Sequence, residues 1–141
     1  MYGPPPYILL VDDDEDDREM FAFELENKGV QVKTFDCPIK ALFYLRLMSG
    51  NMELPSLIIM DYNMPKKNAY QVLLQLKGNA DTKDIPVVIY STGLSDLLLA
   101  QLSGAWVLHC FNKPWSCQEL TRLVERFRQL AFSFIKKQEL S

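Results

Sequence analysis

Two short apolar runs that stop abruptly at acids constrain this chain more than any other feature. Tyr-Ile-Leu-Leu-Val at 7–11 ends at Asp12 and Asp13, and the run at 56–60 ends at Asp61. A strand exposed on one side alternates apolar with polar residues, whereas an unbroken run of about five marks a strand covered on both faces, as in a parallel sheet. Acids at the ends of such strands lie at the edge of a core, where their charge needs a counter-ion.

Helical stretches separate these runs. From about 16 to 27, Met20, Phe21, Phe23 and Leu25 are mixed with charges, and Asn27-Lys28-Gly29 supplies a stop. Residues 30–35 alternate as a strand does. Asp36 is then placed to cap a second helix with Pro38 in its first turn, carrying Ile39, Leu42, Phe43, Leu45 and Leu47 until Ser49-Gly50-Asn51 breaks it. After Asp61 comes a loop with Pro65, Lys66 and Lys67, then a helix over 69–77 with Val72, Leu73 and Leu76 on one side and Gly78 at its end. A strand at 86–90, a helix from Ser95 through Leu102 and a strand at 106–111 follow. Ser116-Cys117-Gln118-Glu119 is a capping-box pattern opening a last helix, expected to reach about Lys137. The domain is thus expected over 7–137, with 1–6 a flexible leader rich in glycine and proline and 138–141 a tail.

Strand and helix alternate five times, the order of a parallel sheet with helices on both faces. In such sheets the functional crevice lies beyond the carboxyl ends of the strands. Four of the five strand ends carry reactive groups: Asp12 and Asp13, Asp61, Ser91 and Thr92, and Lys113. Two carboxylates about 4 Å apart repel by about 4 kcal/mol at an effective dielectric near 20, so converging acids call for a cation. Hard oxygen ligands suit magnesium, which takes one or two carboxylates plus phosphate oxygens, and Lys113 adds a fixed positive charge. A carboxylate attacking phosphorus is a covalent route to phosphoryl transfer, and these residues supply its parts.

Composition narrows the alternatives. At 141 residues, 48% hydrophobic and 23% charged, the chain suits one ordinary globular domain. A net charge of -3 and a pI near 5.1 disfavour direct nucleic-acid binding. No apolar segment approaches the roughly 20 residues of a membrane span, and the leader is not a secretory signal. Cys37, Cys110 and Cys117 lack zinc-type spacing and are expected as free thiols, so the protein is expected to be cytoplasmic.

Ile8-Leu9-Leu10-Val11-Asp12-Asp13, Leu57-Ile58-Ile59-Met60-Asp61, Met64-Pro65, Ser91-Thr92 and Lys113-Pro114 together resemble the receiver domains of two-component response regulators. The resemblance implies a flavodoxin-like, doubly wound (βα)5 fold with strand order 2-1-3-4-5. It implies that Asp61 accepts a phosphoryl group from a histidine kinase or phosphotransfer protein. It also implies that Asp13, Asp61 and the Asn63 carbonyl ligate Mg2+, that Asp12 acts mainly through bound water, and that Ser91 and Lys113 contact the phosphoryl group. Such a domain catalyses only its own phosphorylation and dephosphorylation. Its output is expected to be phosphorylation-dependent binding of a target protein, as a monomer or a phosphorylation-dependent dimer.

Several positions depart from the family pattern. Ala69 replaces a usual glycine, which predicts an altered path for the loop after Asp61. Thr92 is larger than usual there, which predicts narrowed access to the pocket. The segment 104–113 is about two residues longer than is usual in the family, and Cys110 stands where related receivers carry the aromatic ring that switches with the hydroxyl residue. Trp106 and Phe111 are the neighbouring large side chains that could take over that role.

Plainer readings apply elsewhere. Asp14, Glu15, Asp16 and Asp17 read as a solvated helix start favoured by the helix dipole, and the single His109 reads as structural. A haloacid-dehalogenase-like phosphatase needs a second acid where Asn63 stands, and a flavin-binding module needs a first turn free of the acids at 12 and 13. A receiver-like interaction domain that is never phosphorylated is the remaining alternative.

Overall fold

The computed structural model describes residues 6–50, 53–62, 64, 68–93, 95–97, 100, 107–114 and 116–140, with side chains described through 133. Strands β1 (Tyr7–Val11), β2 (Gln31–Phe35), β3 (Leu57–Asp61), β4 (Val87–Ser91) and β5 (His109–Asn112) form one parallel sheet in the order β2-β1-β3-β4-β5. The helices are α1 (Glu15–Asn27), α2 (Pro38–Met48), α3 (Ala69–Lys77) and α4 (Cys117–Leu140). Among the described residues no helix is long and apolar enough to cross a membrane.

The unbroken apolar strands do what their pattern dictates. Leu9, Val11, Ile58, Met60, Val87 and Ile89 face one side, where they meet Ala41 and Leu45 of α2 and Val72, Leu73 and Leu76 of α3. Ile8, Leu10, Leu57, Ile59, Val88 and Tyr90 face the other, against Phe21 and Leu25 of α1 and Val124 and Phe127 of α4. Each such aliphatic side chain, withdrawn from water, contributes about 1.5–3 kcal/mol. With both faces of the inner strands β1, β3 and β4 covered, their carboxyl ends are where buried acids and hydroxyls gather.

Helix ends differ from the sequence reading in places that have local causes. Cys37, not Asp36, caps α2, because Pro38 occupies the first helical position and fixes the cap as the residue before it. Asp36 instead pairs with Lys40 one turn along, at 3.0 Å. Asn68 and Gln71 form a reciprocal capping box that opens α3 at Ala69, so Ala69 is helical and needs no unusual backbone path. On α2, Ile39, Phe43 and Leu47 point outward while Ala41 and Leu45 are buried. α4 runs past Lys137 to Leu140, taking in residues assigned to a tail, since nothing after Ser116 in that stretch is glycine or proline. β5 begins at His109, later than expected. The helix expected over 95–102 lies largely outside the described residues.

Candidate functional site

Parallel register brings the strand ends to one edge. Val11 pairs with Met60, so Asp12 and Asp61 project side by side from β1 and β3. Asp61 pairs with Tyr90, and Ser91 pairs with Asn112, which sets Ser91 and Lys113 at the same edge. The Lys113 amide donates to the Ser91 carbonyl at 3.1 Å, fixing the end of β5 to that of β4.

Asp12 is fully buried and immobilised from several directions. Its Oδ1 accepts the Asp14 amide at 2.9 Å and its Oδ2 accepts the Tyr90 hydroxyl. The Arg18 guanidinium donates to its backbone carbonyl at 2.8 Å. Burial pushes the Asp12 carboxyl above the usual range, against the opposing pull of Tyr90, the Asp14 amide and Lys113. Tyr90 is itself raised, first by burial and then by the negative charge of Asp12.

Asp12, Asp13 and Asp61 each present a carboxylate oxygen within 4.8 Å of the others, with Asp12 and Asp61 buried and Asp13 exposed. Three hard oxygen donors at this spacing fit a small divalent cation, with the exposed side left for water. Opposite them, Lys113 Nζ lies 2.8 Å from Asp17 Oδ2, 3.1 Å from Asp61 Oδ2 and 3.3 Å from Asp12 Oδ2, and 5.1 Å from the Tyr90 ring centroid. Burial alone would lower the lysine. The hydrogen bond to Asp17 and the charges of Asp12 and Asp61 outweigh it and hold Lys113 above its ordinary value.

The structure therefore gathers Asp12, Asp13, Asp61, Ser91 and Lys113 at one edge. Asn63 and Trp106 lie outside the described residues, as do Pro65, Lys66 and Lys67. Ser91 is buried, while Thr92 is exposed and turned to solvent. Cys110 and Phe111 alternate across the sheet: Cys110 packs against the α2–α3 side, and the Phe111 ring packs edge-on against Phe127 of α4 at 5.5 Å. Burial raises the Cys110 thiol.

Two participants were missed by sequence reasoning. Tyr90 ends an apolar run as an ordinary core aromatic does, and only its hydroxyl hinted at a buried polar partner. Asp17 was assigned to a solvated helix start; instead Asp14 caps α1 by accepting the Asp17 amide at 3.1 Å, and the Asp17 carboxylate turns inward to Lys113.

Fold and site define a doubly wound α/β protein whose acidic, lysine-bearing pocket lies at the carboxyl edge of its sheet. The sequence model of the response regulator receiver domain matches residues 8–125, and the chain belongs to that family. It is 38% identical over 124 residues to the two-component response regulator ORR11 of Oryza sativa, covering 88% of this chain and 82% of that one. It superposes on the crystal structure of the phosphorylated cyanobacterial phytochrome response regulator RcpA with TM-score 0.81 and 28% identity, covering 92% and 96% of the two chains. A Mn2+-bound form of response regulator Rcp1 gives TM-score 0.75 and 28% identity, covering 86% and 91%. The chain is thus a receiver domain of two-component signalling.

Proposed function

We propose that Asp61 accepts a phosphoryl group from a histidine kinase or phosphotransfer protein in a magnesium-dependent reaction, and that the phosphorylated form binds a target protein. The observation that carries this reading is the Asp61 carboxylate itself: buried, 3.1 Å from Lys113, and grouped with Asp12 and Asp13.

The residues divide the work by position. An Asp61 oxygen attacks phosphorus as the donor's P–N bond breaks; the departing imidazole keeps the bonding electron pair and takes up a proton. Asp12, Asp13 and Asp61, with the Asn63 carbonyl, would hold Mg2+, and Asp12 acts chiefly through bound water. The metal supplies positive charge against the phosphoryl oxygens, which bring about -1.5 to -2 charges into an acidic pocket. Lys113 offers a fixed cation to one phosphoryl oxygen, and Ser91 offers its hydroxyl to another. The phosphorylated structure of RcpA and the Mn2+-bound Rcp1 support both parts of this reading by similarity.

The test is direct. Incubated with a small-molecule phosphodonor and magnesium, the protein should gain one phosphoryl group mapped by mass spectrometry to Asp61, and Asp61→Ala should gain none. Stoichiometric labelling of Asp61→Ala would remove the assignment.

A further inference from the structure

The Lys113 ammonium has three N–H donors, and three carboxylates surround it: Asp17 at 2.8 Å, Asp61 at 3.1 Å and Asp12 at 3.3 Å. If Lys113 is to meet a phosphoryl oxygen, one of these contacts has to open. Asp12 is poorly suited to leave, being fully buried with both oxygens and its carbonyl engaged. Asp61 carries the incoming group and stays in place. Asp17 is the exception, with the shortest contact but a side chain 30% exposed, in the first turn of α1 where water and the helix N-terminus can receive a carboxylate.

We propose that Asp17 is a positioning residue of the phosphoryl site: it holds Lys113 over the pocket before phosphorylation and yields it to the phosphoryl group afterwards. Resting on Asp61 as acceptor, this makes the strength of the Asp17–Lys113 pair one determinant of how tightly the phosphorylated state is held. The exchange is non-covalent. One lysine–carboxylate contact opens, one lysine–phosphoryl contact forms, and Asp17 moves out to solvent, which also relieves its repulsion with the new negative charge.

Beryllofluoride, a phosphoryl mimic that binds acceptor carboxylates, provides the test. Its affinity would be measured by calorimetry in saturating magnesium for the wild type, Asp17→Asn, Asp17→Ala and Asp16→Asn, alongside magnesium affinity alone. Asp16 lies exposed on the same turn and controls for loss of one negative charge. Both Asp17 variants should bind beryllofluoride about three- to ten-fold tighter, the scale of one part-exposed ion pair, while Asp16→Asn stays within about two-fold of wild type. Magnesium affinity should be no higher in any variant, since removing an acid weakens cation binding in general. Equal or weaker beryllofluoride binding by folded Asp17 variants, or equal tightening by Asp16→Asn, overturns the proposal. Wild-type protein that shows no Asp61-dependent beryllofluoride binding overturns the acceptor reading, and this inference with it.

Discussion

The Tyr90 hydroxyl donates to Oδ2 of Asp12, joining the end of β4 to the end of β1 over the intervening β3. A carboxylate with no exposure to water is costly unless its oxygens are satisfied, and the Tyr90 hydroxyl is a donor to Oδ2 beside the Asp14 amide at Oδ1 and Lys113 at 3.3 Å from Oδ2. Tyr90→Phe keeps the ring and its contact with Phe21 but removes that donor. Stability should fall by about 1–3 kcal/mol in urea denaturation without magnesium. An unchanged midpoint would show that another group satisfies Asp12.

Lys113 faces the same acids that would hold a divalent cation. Lys113→Met should therefore destabilise the metal-free protein by about 2–4 kcal/mol, since it leaves Asp12, Asp17 and Asp61 facing one another. Magnesium should recover more stability in this variant than in wild type, by mass action on the folded state. Thermal melts with and without the metal decide this; an equal rise in both proteins would mean that lysine and metal do not share acids.

Asp13 separates metal binding from folding. It is exposed, whereas the other two members of the acid group are buried. Asp13→Asn should lower magnesium affinity by about ten-fold or more while changing stability by less than about 0.5 kcal/mol. Unchanged affinity by calorimetry would place the cation elsewhere.

Alkaline pH should unfold the protein by a route visible in these residues. Lys113 and Tyr90 both titrate above their ordinary values of 10.5 and 10.0 in the fold. A raised value means that the folded protein keeps the proton longer than the unfolded chain. The associated stability is complete below about pH 10 and is lost as pH rises beyond it. The urea midpoint should stay level up to about pH 10 and fall above it, less steeply in Tyr90→Phe. A parallel fall in both proteins would exclude Tyr90 as a contributor.

What the sequence reveals and what it conceals follow one physical distinction. Asp12, Asp13, Asp61, Ser91 and Lys113 are legible because each interrupts or follows a buried apolar run, so strand geometry alone sends them to one edge. Asp17 is not. It sits among Asp14, Glu15, Asp16 and Asp17, where composition gives every acid the same reading and the helix phase set by the Asp14 cap turns Asp17 inward. Tyr90 hides for the opposite reason, as an aromatic at an apolar position whose polar atom matters. The end of α4 was similarly hidden, because no breaker marks it.

A signal from the pocket would leave it through side chains packed behind Asp12 and Lys113. Cys110 is too small to exchange between buried and exposed positions as an aromatic ring does. A run of aromatic rings lies instead on the α1–α4 side of the sheet. Tyr90, bonded to Asp12, stacks edge-on with Phe21 at 4.9 Å; Phe21 lies 6.1 Å from Phe127, and Phe127 meets Phe111 at 5.5 Å. A shift of Asp12 or Lys113 on phosphorylation thus acts on a ring that packs, through its neighbours, against the outer strand and α4. The differential interaction required is only a few kcal/mol, because a ligand moves a two-state equilibrium by its preference between the states. With beryllofluoride and magnesium, amide shifts should extend to 109–112 and 120–131, and Phe127→Leu should reduce those at 109–112. Shifts confined to the residues flanking Asp61 and Ser91 would rule this route out.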